Sequence, residues 1–510
     1  MIDLEPFSLI MLLVAGALLA TVLTHRLSAR LRLPAPALFL LAASLASDVV
    51  PGLEQIPVTV DERIVTVALV FILFDGGMHI GWHRFRQSAG AIAWIGIAGT
   101  AATAAALALA AHVFFGFDWG AALLIGAALS PTDPAVVFSV LGGREITGRT
   151  GTILEGESGA NDPVGIALMI SLLGATGGGL DAMAGGTADF MLQMAVGALI
   201  GFFAGHGLLA LMRKVALPNE ALHSVGTMAA VAFIYAATTL LHGSGFLAVF
   251  LAGIIIGDQR APHKRDIERF SAGIASLAEI VAFTVLGLSV PLRDVFRSGE
   301  LGTGLALAGL LILIIRPALV GLLITPIRLR RGERAFILLA GLKGAVPILL
   351  GMFILSAGPP DASRIYSIIF IVVLTSVIIQ GTLVPYLAAL LNVPMRRIDP
   401  EPWGIGLRFT DEPHGLRRHV VEPGSPADGY PQARDQRHCG ILPRYRHLGL
   451  GRRSRQAATD GPGRTPQAGD NSPIPAPARA GCPHDRDRRA HRPVATNRAA
   501  AVAVVRCQKR

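Results

Sequence analysis

The stretch Leu154-Glu-Gly-Glu-Ser-Gly-Ala-Asn-Asp-Pro-Val-Gly-Ile-Ala-Leu168 places a polar cluster inside an apolar segment that spans roughly residues 150–173. The cluster holds three carboxylates, a hydroxyl and an amide, on Glu155, Glu157, Asp162, Ser158 and Asn161. At helical spacing Ser158 and Asp162 share one face of the helix, and so do Glu157 and Asn161. Ionisable groups at bilayer depth are costly, and they normally pair with one another or line an ion path. The stretch therefore predicts an ion site.

The composition is that of a polytopic membrane protein. The 510 residues are 52% hydrophobic and 16% charged, with a mean hydropathy of +0.55, which is too apolar for a soluble chain of this size. The net charge of +10 lies in the tail, because residues 1–400 carry 25 basic and 25 acidic side chains and residues 401–510 carry 20 and 10. No folded basic domain holds the excess, so we expect no nucleic-acid partner.

Apolar runs of sufficient length predict thirteen transmembrane spans. They lie near residues 6–24, 35–50, 62–82, 88–115, 119–141, 150–174, 189–212, 220–241, 244–257, 266–292, 300–327, 333–357 and 364–392. We interpret the first run as a transmembrane helix, because no small-residue cleavage site of a signal peptide follows it.

The basic residues of the loops alternate along the chain. Loops after the odd-numbered spans carry 19 of them, and the intervening loops carry 4. Cytoplasmic loops are enriched in Lys and Arg, so this pattern predicts an amino terminus outside the cell and a cytoplasmic tail.

Two spans are interrupted. The fifth contains Leu129-Ser-Pro-Thr-Asp-Pro-Ala135, and the twelfth contains Gly341-Leu-Lys-Gly-Ala-Val-Pro347. By the loop alternation these spans run in opposite directions, as in a transporter built from inverted repeats, where paired broken helices indicate a binding site at the midplane. Four charged residues from four spans share that depth, about 10–15 residues from the nearest loop. They are Asp133, Asp162, Arg316 and Lys343.

Three motifs in this order, Ser130-Pro-Thr-Asp-Pro134, Glu155-Gly-Glu-Ser-Gly-Ala-Asn-Asp-Pro163 and Gly341-Leu-Lys-Gly-Ala-Val-Pro347, resemble bacterial monovalent cation/proton antiporters of the NhaP type. The resemblance covers residues 1 to about 395. It implies an all-α polytopic fold with two crossed broken helices, in which a core of spans 4–6 and 11–13 moves against a dimerisation domain of a homodimer. The implied function is exchange of Na⁺ or K⁺ for H⁺ across the inner membrane, with neither a cofactor nor enzymatic chemistry.

The same resemblance assigns the ion site. Asp162 would bind the cation or the proton, and Thr132, Asp133 and Ser158 would complete the Na⁺ or K⁺ coordination. Asn161, directly before Asp162, implies electroneutral one-for-one exchange. A single titratable carboxylate holds either a proton or a cation, which makes exchange obligatory, and oxygen ligands suit hard alkali cations.

Further charged residues receive supporting roles. The resemblance implies that Glu157 pairs with Arg316 as a structural ion pair. Lys343 stands where an arginine is expected, and we treat it as an auxiliary residue, because lysine lacks the bidentate guanidinium fork. Asp75 and Glu279 are further intramembrane acids, either structural or lining a funnel.

Two alternatives stay open from the residues alone. Gly156-Glu-Ser-Gly159 also matches the surroundings of the nucleophile in rhomboid-like intramembrane serine proteases, with His112 or His206 as a candidate base for Ser158. A cation channel is the other alternative, although the chain has no filter sequence of the Thr-Val-Gly-Tyr-Gly kind.

The tail changes character after about residue 429. Residues 396–429 are similar to the linker of a TrkA-C-like regulatory domain. Residues 430–510 are rich in Arg, Pro, Ala and Gly without apolar periodicity, which predicts disorder. The abrupt change also suggests the hypothesis that this segment comes from a shifted reading frame. The other interpretation is a natural basic tail that touches anionic lipid.

Overall fold

The computed structural model describes residues 33–49, 57–141, 144–175, 180–215, 217–290, 292–297, 299–327 and 329–397, with Leu19 and the short strands 416–421, 441–442 and 501–506. The chain forms two compact units, Met1–Pro400 and Glu401–Arg510. The described part of the first unit is almost entirely helical, as the sequence predicts.

The helices of the first unit follow one another along the chain. They are α1 (Ala35–Val49), α2 (Val58–Ile80), α3 (Trp82–Phe115), α4 (Trp119–Leu129), α5 (Ala135–Leu141), α6 (Arg149–Gly174), α7 (Leu180–Lys214), α8 (Glu220–Leu240), α9 (Gly245–Gly257), α10 (Lys264–Leu288), α11 (Leu292–Arg297), α12 (Leu301–Leu323), α13 (Arg331–Leu339), α14 (Ala345–Ala357) and α15 (Ala362–Leu390).

Helices occupy the predicted spans from residue 35 onward. Seven of the described helices, namely α2, α3, α7, α8, α10, α12 and α15, are long and apolar enough to cross a membrane. Shorter apolar helices form α1, α4, α9 and α14. The first predicted span, residues 6–24, lies outside the described residues, so the total of thirteen spans stays a prediction.

The two interrupted spans are broken where the sequence predicts. Residues 130–134 separate α4 from α5, because Pro131 and Pro134 lack backbone donors and disfavour helical geometry at the residue before them. The glycine-rich residues 340–344 separate α13 from α14. Each predicted span thus becomes two half-helices joined by non-helical backbone.

Three helices contain a π-helical turn. These turns are Trp94–Gly99 in α3, Leu311–Ile315 in α12 and Ser376–Gln380 in α15. Such turns are uncommon and concentrate at functional sites. Here the second directly precedes Arg316, and the first packs against Ala160, next to the polar cluster of α6.

Two contacts join segments that are distant in sequence. Strand β1 (Arg144–Ile146) pairs antiparallel with β2 (Met395–Arg397), and this joins the loops after the fifth and thirteenth spans. Arg364 Nε lies 2.7 Å from Glu300 Oε1, and this joins the start of α15 to the start of α12. Each contact joins segments that the charge pattern places on one side of the membrane.

In the second unit, β3 (Leu416–Val421), β4 (Ile441–Leu442) and β5 (Ala501–Arg506) form an antiparallel sheet in the order β3-β5-β4. Most of the predicted linker 396–429 and of the basic segment 430–510 lies outside the described residues.

Candidate ion-binding site

The two broken helices meet through direct contacts between their non-helical segments. The Asp133 N–H donates to the Leu342 carbonyl at 2.8 Å. Lys343, only 1% exposed, donates from Nζ to the carbonyls of Ser130 at 3.1 Å and Pro131 at 2.9 Å. The breaks predicted to converge at one depth therefore meet.

Opposite charges lie at the ends of the half-helices. The Lys343 ammonium binds the two carbonyls directly after the C-terminal end of α4, where the helix dipole is negative. The Asp133 carboxylate lies beside Gly344, immediately before α14, where the dipole is positive. A Cβ at Gly344 would collide with this carboxylate, so glycine is required for the close approach.

Asn161 of α6 holds Thr132 through both atoms of its amide. Its Nδ2 donates to Thr132 Oγ1 at 2.7 Å, and its Oδ1 accepts the Thr132 N–H at 3.4 Å. Ser158 Oγ donates to the Thr132 carbonyl at 2.6 Å. Asn161 therefore positions Thr132, while the hydroxyl lone pairs of Ser158 stay available for an ion.

Asp162 differs from Glu157 because its carboxylate forms no ion pair with a described residue. The residue is 7% exposed, and its Oδ1 is buried without a hydrogen-bond partner in the described part of the chain. It interacts electrostatically with Asp133 and Lys343. A buried carboxylate oxygen without a donor is costly, which makes this atom available to a cation or a proton.

Glu157 and Arg316 form a separate and more fully bonded cluster. Arg316 Nη2 lies 2.9 Å from Glu157 Oε1 and also donates to the Ile337 carbonyl at 3.3 Å. Arg316 Nε donates to the Leu338 carbonyl at 3.2 Å. The guanidinium thus ties α6 to the last turn of α13, which is the geometry of a structural ion pair.

Sequence analysis missed two residues that hold the second break. The Lys343 N–H donates to Ser376 Oγ at 3.0 Å, Ser376 Oγ donates to Gln380 Oε1 at 2.5 Å, and Gln380 Nε2 donates to the Leu339 carbonyl at 3.1 Å. Both side chains are buried in the π-helical turn of α15. Two polar residues four positions apart in an apolar span are the signal that could have identified them.

The other intramembrane acids lie around this centre. Asp75 Oδ2 is 3.3 Å from His79 Nδ1 on α2, and His79 also interacts electrostatically with Glu155. Glu279 of α10 interacts electrostatically with Asp133, and its Oε1 is buried without a hydrogen-bond partner within the described ranges.

Residues 14–390 match the family model described as sodium/hydrogen exchanger, transmembrane. This chain belongs to the sodium/hydrogen exchanger family. The match includes both broken helices and every predicted site residue, so the antiporter family proposed from three short motifs is confirmed.

Relatives of the exchanger are named as antiporters. The chain is 36% identical to the K⁺/H⁺ antiporter NhaP of Alkalimonas amylolytica over 74% of its own length and 66% of that protein. It is 34% identical to the K⁺/H⁺ antiporter NhaP2 of Shewanella oneidensis, over 76% and 67% of the two chains. The Na⁺/H⁺ antiporter NhaP of Pseudomonas aeruginosa is 28% identical, over 72% and 94%. The chain thus spans about two thirds of the length of these K⁺/H⁺ relatives.

The exchanger also shares its fold with a solved structure. The sodium proton antiporter MjNhaP1 of Methanocaldococcus jannaschii superposes with a TM-score of 0.63 at 22% identity, and the similarity covers 75% of this chain and 99% of that one. This likeness confirms the predicted fold class.

Neither alternative function holds for the exchanger. The family is one of cation/proton antiporters rather than channels or proteases. Ser158 is bonded to the Thr132 carbonyl, while His112 contacts the Phe117 carbonyl at 2.7 Å and His206 the Phe202 carbonyl at 2.9 Å.

Proposed function

We propose that this exchanger transports one monovalent cation in exchange for one proton across the bacterial inner membrane by alternating access. The preferred cation is K⁺. The relatives at 34–36% identity support K⁺, because they are named K⁺/H⁺ antiporters, whereas the Na⁺/H⁺ relative is 28% identical.

The observation that carries the proposal is the Asp162 carboxylate. Its buried Oδ1 has no hydrogen-bond partner in the described structure, and Ser158 lies one helical turn before it. An ionised Asp162 supplies a negative charge and an oxygen ligand, which suit an alkali cation. Protonation removes that charge, so the site holds a cation or a proton and never both.

The charge balance of the site supports one-for-one exchange. Arg316 offsets Glu157, while Asp133, Asp162 and Lys343 together leave one net negative charge in this group. Position 161 holds a neutral amide that is used to hold Thr132. One exchanging charge accepts one monovalent cation or one proton, and the cycle then moves no net charge.

The test measures cation-induced recovery of fluorescence from a pH-sensitive dye in everted vesicles, with KCl, NaCl and LiCl added separately. We expect wild-type recovery with KCl at the lowest concentration and none in Asp162→Asn. Asp189→Asn, which makes the same chemical change at an exposed position of α7, is the matched control and keeps wild-type exchange. Exchange that survives in Asp162→Asn, or that is absent in wild type with all three salts, overturns the proposal.

Stoichiometry is tested by clamping the membrane voltage with an ionophore. We expect wild-type exchange to be insensitive to voltage. Asn161→Asp adds a second carboxylate beside Asp162, and we expect the exchange of that variant to respond to voltage. A voltage-sensitive wild type contradicts the one-for-one assignment.

We further propose that residues 1–395 form the exchanger domain of a homodimer, with α3–α6 and α12–α15 as the moving core and residues 396–429 as a linker. The crossing of the two breaks and the link from α6 to α13 through Arg316 support this division. Mass measurement of the purified protein in detergent tests the dimer, and labelling of single cysteines tests the cytoplasmic tail. Resequencing the 3′ end of the gene tests whether residues 430–510 come from a shifted frame.

A further inference from the structure

An open cleft of about 450 Å³ contains no residue of the ion site or of the ion pair described above. Its walls come from α3, from the first residue of α6 and from the loop after α12. The lining residues are Gly90, Ala91, Trp94, Arg149, Pro326 and Ile327. Clefts of this volume are large enough to bind a small ligand or part of a larger one.

Hydrogen bonds hold two walls of the cleft in place. The Trp94 indole donates from Nε1 to the Leu323 carbonyl at 3.2 Å, which joins α3 to the end of α12. Arg334 Nη2 donates to the carbonyls of Thr325 at 3.1 Å and Ile327 at 2.9 Å, and this fixes the loop after α12. Ile327 also belongs to a small cluster of buried apolar side chains with Ile95, Ile153, Val320, Ile324 and Ile337. The cleft is therefore preformed.

The one charged residue that lines the cleft has no counter-charge. Arg149 is exposed, and its side chain makes neither a hydrogen bond nor an ion pair in the described part of the chain. Arg86 lies one helical turn before Gly90 and two before Trp94, on the same face of α3, and it too has no ion pair among the described residues. The charge of the cleft therefore favours an anion.

The remaining lining residues carry no charge, and the cleft lies where we expect the membrane boundary. Trp94 is 50% exposed, and the apolar side chains of Ile97 and Leu322 beside it on α3 and α12 are exposed as well. By the loop alternation the starts of α3 and α6 and the end of α12 lie at the cytoplasmic face. Tryptophan is enriched at this boundary, and anionic lipids of the cytoplasmic leaflet attract basic side chains.

We propose that this cleft binds an anionic phospholipid of the cytoplasmic leaflet. Arg149 binds the phosphate group, because a guanidinium can donate to two phosphate oxygens at once. Trp94, Ala91 and Ile327 pack against the glycerol and the first acyl carbons. A lipid in this position contacts α3 and α6 and also the loop after α12, so it joins the two halves of the core proposed above. The site goes beyond the exchange function and does not depend on it.

The experiment titrates the purified full-length protein, in a neutral detergent, with phosphatidylglycerol and follows the thermal unfolding midpoint. We expect phosphatidylglycerol to raise the midpoint. Phosphatidylcholine, which has no net charge, and inorganic phosphate, which has no acyl chains, are expected to leave it unchanged. Arg149→Gln is expected to need about tenfold more phosphatidylglycerol for half of the shift, the size of one lost hydrogen bond to a charged group. Arg84→Gln, the same change at an exposed position on another face of α3, keeps the wild-type titration.

A second variant tests the shape of the cleft. A Cβ at Gly90 meets no atom within 4 Å, so we expect Gly90→Leu to fold, to fill part of the cleft and to lose the shift caused by phosphatidylglycerol. Gly273→Leu in α10, where a Cβ is equally unobstructed, is the matched control and keeps the shift.

Four results overturn the proposal. They are no shift of the wild type with phosphatidylglycerol, an equal shift with phosphatidylcholine, an equal shift with inorganic phosphate, and a wild-type titration in Arg149→Gln. If Arg149→Gln does not accumulate, Gly90→Leu decides, and a wild-type titration of that variant then overturns the proposal. Asp162→Asn is expected to keep the phosphatidylglycerol shift, so lipid binding and the exchange function can fail separately.

Discussion

Glu157 and Asp162 lie five positions apart on one helix, both are buried, and their surroundings are opposite. Each carboxylate has one buried oxygen without a hydrogen-bond partner in the described residues, but Glu157 Oε1 lies 2.9 Å from Arg316 Nη2, whereas Asp162 forms no such ion pair there. A buried charged residue is usually either compensated by a partner of opposite charge or required for transport. The comparison predicts that Glu157 matters for stability and Asp162 for exchange.

The largest expected effect on stability comes from removing Arg316. Arg316→Met leaves Glu157 buried without its cation and two carbonyls of α13 without a donor, which costs about 3–5 kcal/mol. The measurement is the thermal unfolding midpoint of the purified protein in detergent, together with its accumulation in the membrane.

The double variant Glu157→Leu with Arg316→Met is the control for that prediction. It removes both charges, and apolar replacement of a buried pair is often neutral. We expect it to regain most of the lost stability. A double variant as unstable as the single one would show that the carbonyl bonds, and not the ion pair, hold α13.

Gln380→Met is expected to have an intermediate effect. It removes the donor to the Leu339 carbonyl and the acceptor of Ser376, and an unsatisfied buried polar group costs about 1–3 kcal/mol. Thr382→Val is the matched control, because the Thr382 hydroxyl is exposed and bonds only within its own helix. The unfolding midpoint is measured for both variants. Equal midpoints for Gln380→Met and Thr382→Val would show that Gln380 does not stabilise the break.

A smaller effect is expected from Lys343→Arg. Arginine keeps the positive charge and the donors to the carbonyls at the end of α4, but its greater volume in a fully buried position costs about 1 kcal/mol. We expect exchange to continue with a slightly lower unfolding midpoint. Lys343→Met, which leaves those carbonyls without a donor, should lower the midpoint more; the reverse order would show that Lys343 does not compensate the break.

Asp162→Asn is expected to change stability least while abolishing exchange. The amide has nearly the shape of the carboxylate and removes a buried charge that lacks full compensation, so we expect an unfolding midpoint equal to or above that of wild type. A midpoint well below wild type would place Asp162 with Glu157 as a structural residue.

Much of the fold was predictable because its local causes lie in the sequence. Bilayer thickness sets the length of an apolar run. Two of those runs are interrupted by the prolines at 131 and 134 and the glycines at 341 and 344, however the helices pack against one another. The first span and most of the tail lie outside the described residues, so those predictions stay untested. Ser376 and Gln380 were missed, because their hydrogen-bond partners are backbone groups in or next to the break at 340–344. The sequence does not show that this break lies beside them.

The sequence by itself determined that the chain is a helical membrane protein, where two of its helices break, and which charged residues share the depth of the breaks. These follow from residue type and spacing, which act within a helix or across a known membrane thickness. Only the tertiary structure decided which charges meet. Arg316 bonds Glu157, Lys343 binds carbonyls of the opposite break, Asn161 holds Thr132, and Asp162 Oδ1 has no hydrogen-bond partner in the described structure. Hydrogen bonds and ion pairs act over a few ångströms between segments distant in sequence, so their partners emerge only when the helices pack.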